Sequence, residues 1–114
     1  MTRRYCRALD LVDDPQLIAD YERYHREIWP EITGHLRRYG IAEMEIYRLG
    51  TRLMMVMETT EDFDSEEFAR RSLADPKVCE WEALMWRYQR ATPWTPPDEK
   101  WVAMTRIFSL TEQK

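Results

Sequence analysis

From Arg4 to Leu11 apolar side chains alternate. Cys6 and Ala8 fall on one side and Tyr5, Leu9 and Leu11 on the other, the pattern of a strand. The period then changes. Asp14-Pro15 supplies an N-cap and a proline at the first helical position, and Leu17, Ile18, Tyr21, Tyr24, His25 and Ile28 follow at helical spacing. Pro30 removes a backbone donor, so the helix should break near Trp29 and restart with Ile32, Leu36 and Tyr39 before Gly40 ends it. Residues 42–49 predict a second strand and residues 53–59 a third. Between them Gly50-Thr51 makes a two-residue hairpin turn with glycine at its first central position. Asp62 to Ser72 reads as a short helix with an acidic start. Asp75-Pro76 repeats the cap-and-proline signal and opens a helix running to about Arg90, with Val78, Trp81, Ala83, Leu84, Trp86 and Tyr88. The segment from Thr92 to Asp98, with three prolines, predicts an ordered loop, and Trp101 to Leu110 a final alternating strand.

The predicted order is β-α-β-β-α-β, with the second helical region in two pieces. It is the split-βαβ pattern: an α+β, ferredoxin-like domain spanning residues 1–114, its four-stranded antiparallel sheet carrying helices on one face. Leu53-Met54-Met55-Val56-Met57 complicates that picture, because it is apolar on both faces, whereas a sheet covered on one side should be polar on the other. A second copy of the chain packed face to face is the expected cover, giving a homodimer. The alternative cover is the loop at residues 92–100.

Composition narrows the class. At 114 residues the chain makes one domain with a modest core. A net charge of −4 leaves no basic excess to neutralise phosphates, and the arginines are interleaved with acids, which argues against a nucleic-acid partner. No apolar run follows Met-Thr-Arg-Arg-Tyr-Cys and none approaches bilayer length, so neither a signal peptide nor a membrane association is expected. Cys6 and Cys79 make no disulfide framework, and free thiols fit a cytoplasmic location.

The candidate chemistry concentrates between Asp20 and Ile32. Tyr21, His25 and Trp29 are four apart and share a helical face with Ile18 and Ile32, so His25 points inward. On pattern alone a hydrogen-bonded core histidine is the more economical reading. The functional reading is that an imidazole beside a phenol in a partly dry cavity can give and take protons near neutral pH, while Tyr21 and Trp29 offer flat faces and polar tips to a sugar or aromatic ligand. His35 lies off the Ile32/Leu36/Tyr39 stripe and is expected at the surface. The two histidines and two cysteines show no metal-ligand spacing, and no phosphate loop, dinucleotide fingerprint or nucleophile elbow is present. Trp81 and Trp86 read as core aromatics. Glu80 and Glu82 read as solvated, with one of them able to turn inward beside the indole as a hydroxyl acceptor.

The run Tyr21-x-x-x-His25-x-x-Ile28-Trp29-Pro30-Glu31 resembles the signature of the L-rhamnose mutarotase family. Gly40 with Ile46-Tyr47, the strand Leu53 to Glu58, and Asp75-x-x-Val78-Cys79 agree, and the resemblance extends over about residues 3–110. It implies a dimeric ferredoxin-like α/β barrel, cytosolic, without metal or cofactor, that interconverts the α and β anomers of a 6-deoxy-L-hexose. His25 matches the family's catalytic proton donor and Tyr21 a sugar-contacting tyrosine. Two positions depart. The rhamnose-specific pattern has a Trp-Trp pair after the cysteine. Here Cys79-Glu80-Trp81-Glu82 is one residue shorter, so that Trp81 takes the first tryptophan's place and Glu82 the second's. A sugar-contacting tyrosine at the start of the second strand is here Met44. A pocket that loses two aromatics and gains a carboxylate should read a different hydroxyl pattern, which leans toward L-fucose over L-rhamnose.

On this reading His25 protonates the ring oxygen, Tyr21 orients the sugar and Trp81 stacks on its C6 side, with Glu82, Tyr47 or water as the base. The alternatives are a non-catalytic small-ligand-binding dimeric barrel and a monooxygenase or haem-degrading member of the same architecture.

Overall fold

The protein is described by a computed structural model covering residues 2–114. Strand β1 (Thr2–Leu11) leads into helices α1 (Pro15–Arg26) and α2 (Pro30–Arg38), and a hairpin follows, of β2 (Ile41–Leu49) and β3 (Arg52–Thr60). Helices α3 (Ser65–Ala74) and α4 (Pro76–Trp86) come next, then two short strands, β4 (Gln89–Arg90) and β5 (Val102–Ala103), and a 3-10 turn at Leu110–Glu112. The sheet is antiparallel in the order β2-β3-β1-β4, with β5 also on β1. This is the expected ferredoxin-like arrangement.

The local signals act as their chemistry predicts. The Asp14 carboxylate accepts hydrogen bonds from the N–H groups of Gln16 (2.9 Å) and Leu17 (3.1 Å), and Pro15 follows as the first helical residue. The Asp75 carboxylate accepts from Lys77 and Val78 in the same way, and the Asp64 carboxylate from Glu66 and Glu67. Trp29 is extended (φ −64°, ψ 132°), as the residue before a proline must be, and caps α2 at Pro30. Gly40 has φ +98°, and a Cβ there would sit 2.8 Å from the Thr60 hydroxyl oxygen. That position tolerates only glycine, and it turns the chain from α2 into the sheet.

Register fixes which side chains meet. Leu9 faces Leu53, Tyr5 faces Met57, Met55 faces Ile46 and Met57 faces Met44, all toward the helices. Two clusters fill that side: one around Leu11, Tyr21, Ile32, Leu53, Val78, Trp81, Met85 and Tyr88, the other around Ile41, Met55, Met57 and Phe63. Burying a side chain such as Leu53 or Met85 contributes about 2–3 kcal/mol each. On the opposite face Ala8 pairs with Met54 and Met54 with Tyr47, while Cys6 pairs with Val56. Met54 is 37% exposed, so the segment at residues 92–100 leaves this face partly open. Within that segment Thr92 is buried and bonded to Thr95, and the Arg52 guanidinium lies 5.0 Å from the Trp94 ring centre.

Three expectations are corrected. α4 stops at Trp86, not near Arg90, because the end of β1 takes the following residues: the Val12 N–H donates to the Tyr88 carbonyl at 2.9 Å, and Gln89 and Arg90 pair with Leu11 and Asp10. The last strand is two residues long. Beyond Met104, whose N–H donates to the Cys6 carbonyl, the chain leaves β1, and alternation without a partner makes no ladder. His35 is buried, because α3 packs over it and the Ser72 hydroxyl lies 2.9 Å from its Nε2.

Candidate active site

Between the inner face of the sheet and the helices lies a cavity of about 480 Å³. It separates the two apolar clusters and draws its walls from both, and its size and mostly apolar lining suit a small molecule. Its polar groups come from six elements. They are Tyr21 and His25 from α1, Arg7 from β1, Glu82 from α4 and Gln89 from β4, together with His35 from α2 and Ser65 and Ser72 from α3.

Helix α1 presents Tyr21 and His25 one turn apart, and their rings lie 4.4 Å between centres. The His25 Nδ1 is 2.8 Å from the Tyr21 carbonyl. A carbonyl can only accept, so Nδ1 carries the hydrogen and Nε2 is left with a lone pair. Burial lowers the His25 pKa below its ordinary value, and the hydrogen bond to the Tyr21 carbonyl offsets this in part. The resting imidazole is therefore neutral near pH 7, with a fixed tautomer and a free Nε2.

Tyr21 is buried, which pushes its phenol up to about 12; the amide of Gln89 opposes the shift and the Glu82 charge adds to it. The phenol keeps its proton. Gln89 Nε2 donates to the Tyr21 oxygen at 3.0 Å, which leaves the O–H hydrogen as a donor. A neutral base and a neutral acid thus stand side by side on one helical turn.

Trp81 lies on the face of α4 opposite this pair. It is buried, with its ring edge-on to His25 (5.7 Å), Trp29 (5.0 Å) and Tyr24 (6.3 Å). Met44 lines the cavity from β2, across the ladder from Met57. Glu82 lines it from the rim, half-exposed, with Lys100 Nζ at 3.6 Å. Of the residues singled out in the sequence, His25, Tyr21, Trp81, Glu82 and Met44 therefore meet in one cavity. Trp29 does not line it. Its ring buttresses Trp81 from behind and carries the Lys77 ammonium 4.6 Å from its centre. Tyr47 also lies elsewhere, on the open face of the sheet, where its hydroxyl donates to Glu45.

Sequence reasoning missed Arg7 and Gln89. Arg7 sits in a strand position whose side is set by the register with Met55. Gln89 falls within the helical pattern that follows Pro76, and nothing local marks its transfer to the sheet. Among the described residues no group of three or more His, Cys, Asp or Glu side chains is placed to hold a metal ion.

A family model described as L-rhamnose mutarotase matches residues 4–110. The chain is 52% identical over 112 residues to an L-fucose mutarotase of Xanthomonas campestris pv. campestris, covering 96% of this chain and 90% of that one. It is 31% identical over 99 residues to an L-rhamnose mutarotase of Tolumonas auensis, covering 84% and 88%. Among solved structures, an L-rhamnose mutarotase of Formosa agariphila superposes with a TM-score of 0.70 at 17% identity, over 95% of this chain and 98% of that one. At that identity the likeness is one of fold.

Proposed function

The chain belongs to the L-rhamnose mutarotase family, and on that footing we propose that it interconverts the α and β anomers of a 6-deoxy-L-hexose, with L-fucose preferred over L-rhamnose. Family membership makes it a sugar isomerase and displaces the non-catalytic barrel and the haem-degrading alternative. The preference for L-fucose rests on the 52% identity to an L-fucose mutarotase and on two cavity positions, Met44 and Glu82, that leave the rhamnose pattern. L-Fucose and L-rhamnose differ at C2 and C4, a difference that a moved hydrogen-bonding group can read.

The observation that carries the mechanism is the neutral His25, tied to its own helix through Nδ1 and free at Nε2, beside a protonated Tyr21. Ring opening moves one proton from the anomeric hydroxyl to the ring oxygen. Both oxygens are bonded to C1, so one nitrogen can serve both. His25 Nε2 takes the hydroxyl proton, and the imidazolium so formed protonates the ring oxygen as the C1–O5 bond breaks. The free aldehyde rotates about C1–C2, and the same proton runs back as the ring closes on the other face. Tyr21 holds the sugar through its O–H and Trp81 walls its apolar C6 side. Glu82, occupied by Lys100 at the rim, is a hydroxyl acceptor and not the base.

The working form is a homodimer. Its support is the open sheet face around Met54, Val56, Cys6 and Ala8, together with the exposed Ile107, Phe108 and Leu110 beyond β5. No helix among the described residues is long and apolar enough to cross a membrane. The free thiols of Cys6 and Cys79 suit a reducing compartment, and on that ground we place the enzyme in the cytoplasm.

Saturation-transfer NMR on anomeric mixtures of L-fucose and L-rhamnose tests this reading. The protein should accelerate anomer exchange, faster for L-fucose, and His25→Gln should abolish the acceleration while the melting curve stays cooperative. An unchanged rate in that variant refutes the role of His25.

A further inference from the structure

Gln89 stands where the cavity meets the sheet. Its backbone pairs with Leu11 of β1, while its side chain lines the cavity together with Tyr21, His25 and Trp81. The residue is only 7% exposed. One end of its amide is bound, Nε2 donating to the Tyr21 oxygen at 3.0 Å. The other end is not: Oε1 is the one buried side-chain polar atom among the described residues without a hydrogen-bond partner.

An orphaned buried carbonyl is costly and uncommon, and a methionine or leucine would fill the same space without it. The cost is recovered when a ligand supplies the missing partner. A hydroxyl does so whichever way the amide is turned. With Nε2 toward Tyr21 the free oxygen accepts from it, and with the amide reversed the free NH2 donates to it. Neither an apolar ligand nor a pure acceptor meets both cases. A group that both donates and accepts, as a sugar hydroxyl does, thus suits this position.

We infer that Gln89 is a substrate-binding residue whose free amide end pairs with a ring hydroxyl of the bound sugar, and that it helps select between 6-deoxy-L-hexoses in which that hydroxyl points differently. This rests on the mutarotase reading. The same amide fixes the Tyr21 phenol, so one side chain couples the sugar's orientation to the acid beside His25.

The test measures kcat and KM for anomer exchange of L-fucose and L-rhamnose, and Tm, in the wild type, Gln89→Met and Gln89→Glu. In Gln89→Met the KM for the preferred sugar should rise about tenfold and the preference between the two sugars should fall, with kcat changed less than about threefold. Its Tm should stay close to that of the wild type, because the substitution removes an orphan along with a hydrogen bond. Gln89→Glu keeps the shape and makes the free end acceptor-only. It covers the case in which Gln89→Met fails to fold, and it should shift the preference between the sugars by about threefold or more. Unchanged KM and preference in the variants overturn the inference, as does a lowered Tm with KM intact, which assigns Gln89 a structural role. A wild type that accelerates neither sugar refutes the mutarotase reading instead, so the two failures are distinct.

Discussion

Tyr21→Phe removes one oxygen and leaves the ring where it is. The contacts with His25 at 4.4 Å and with Tyr88 at 6.2 Å depend on the ring and survive. What is lost is the acceptor for Gln89 Nε2, inside a residue whose Oε1 already has no partner. The empty variant then buries an amide unpaired at both ends. A buried donor stripped of its acceptor costs about 1–3 kcal/mol, and the phenol's own desolvation, no longer required, pulls the net toward the lower end. At roughly 0.05–0.15 kcal/mol per residue, a 114-residue domain has about 6–17 kcal/mol in all, so the variant folds. With about 5 °C lost per kcal/mol, Tm should fall by roughly 5–10 °C. In the loaded site the sugar loses the phenol's O–H as well, so kcat/KM should fall about 10- to 100-fold, most of it in KM if Tyr21 orients the sugar without moving a proton. Thermal melts and saturation-transfer NMR on L-fucose read the two effects. A Tm equal to or above that of the wild type refutes the assigned hydrogen bond, and a kcat/KM within twofold removes Tyr21 from the site.

The remaining predictions concern the same cavity. His25 is active as the neutral form and its pKa is lowered by burial, so kcat/KM should stay level as pH falls through about 6.5, the ordinary histidine value, and drop only below the lowered pKa. An activity loss centred at or above 6.5 contradicts this. The same shift has a stability sign. The unfolded chain binds the proton first, so the folded state loses stability as pH falls from about 6.5 through the lowered pKa, and His35, shifted the same way, adds to the loss. Urea titrations across that window should show the trend, and His25→Gln should weaken it. Trp81→Ala should cost about 3–5 kcal/mol and most of the exchange activity, because Trp81 is buried among three aromatic rings and walls the cavity. Trp29→Ala, outside the cavity, should cost less of both, and equal effects on activity would put Trp29 in contact with sugar.

The candidate site was legible in part because two of its members share one helix. Residues four apart on an α-helix meet whatever surrounds them, so Tyr21 and His25 were readable as a pair. The family resemblance then set the proton-moving role of His25 against its plainer role in the core. Met44 became a candidate only through that resemblance, which also moved Trp81 out of the core and chose Glu82 over Glu80 as the inward acceptor, and these residues reach the cavity because β2 and α4 face α1 across it. Trp29 shared the apparent face of Tyr21 and His25, but α1 ends at Arg26, and the turn before Pro30 swings the indole behind Trp81. Gln89 left no trace in the pattern, since its place depends on competition between continuing α4 and pairing with β1.

Taken alone, the sequence determined what short-range chemistry determines. Three aspartate caps start helices, Gly40 adopts a backbone angle that side chains resist, the residue before Pro30 is forced extended, and Gly50-Thr51 closes a hairpin whose register follows from a two-residue loop. Periodicity separated the two sides of β1, whereas β3 is apolar on both and took its inner face from packing. The tertiary structure decided where neighbours compete. It ended α4 early by offering β1 to Gln89, buried His35 under α3, held the last strand to two residues, and set Lys100 against Glu82. The physical reason is range. A cap or a turn is stabilised by atoms a few residues away, whereas a cavity exists only where elements distant in sequence pack without filling the space between them.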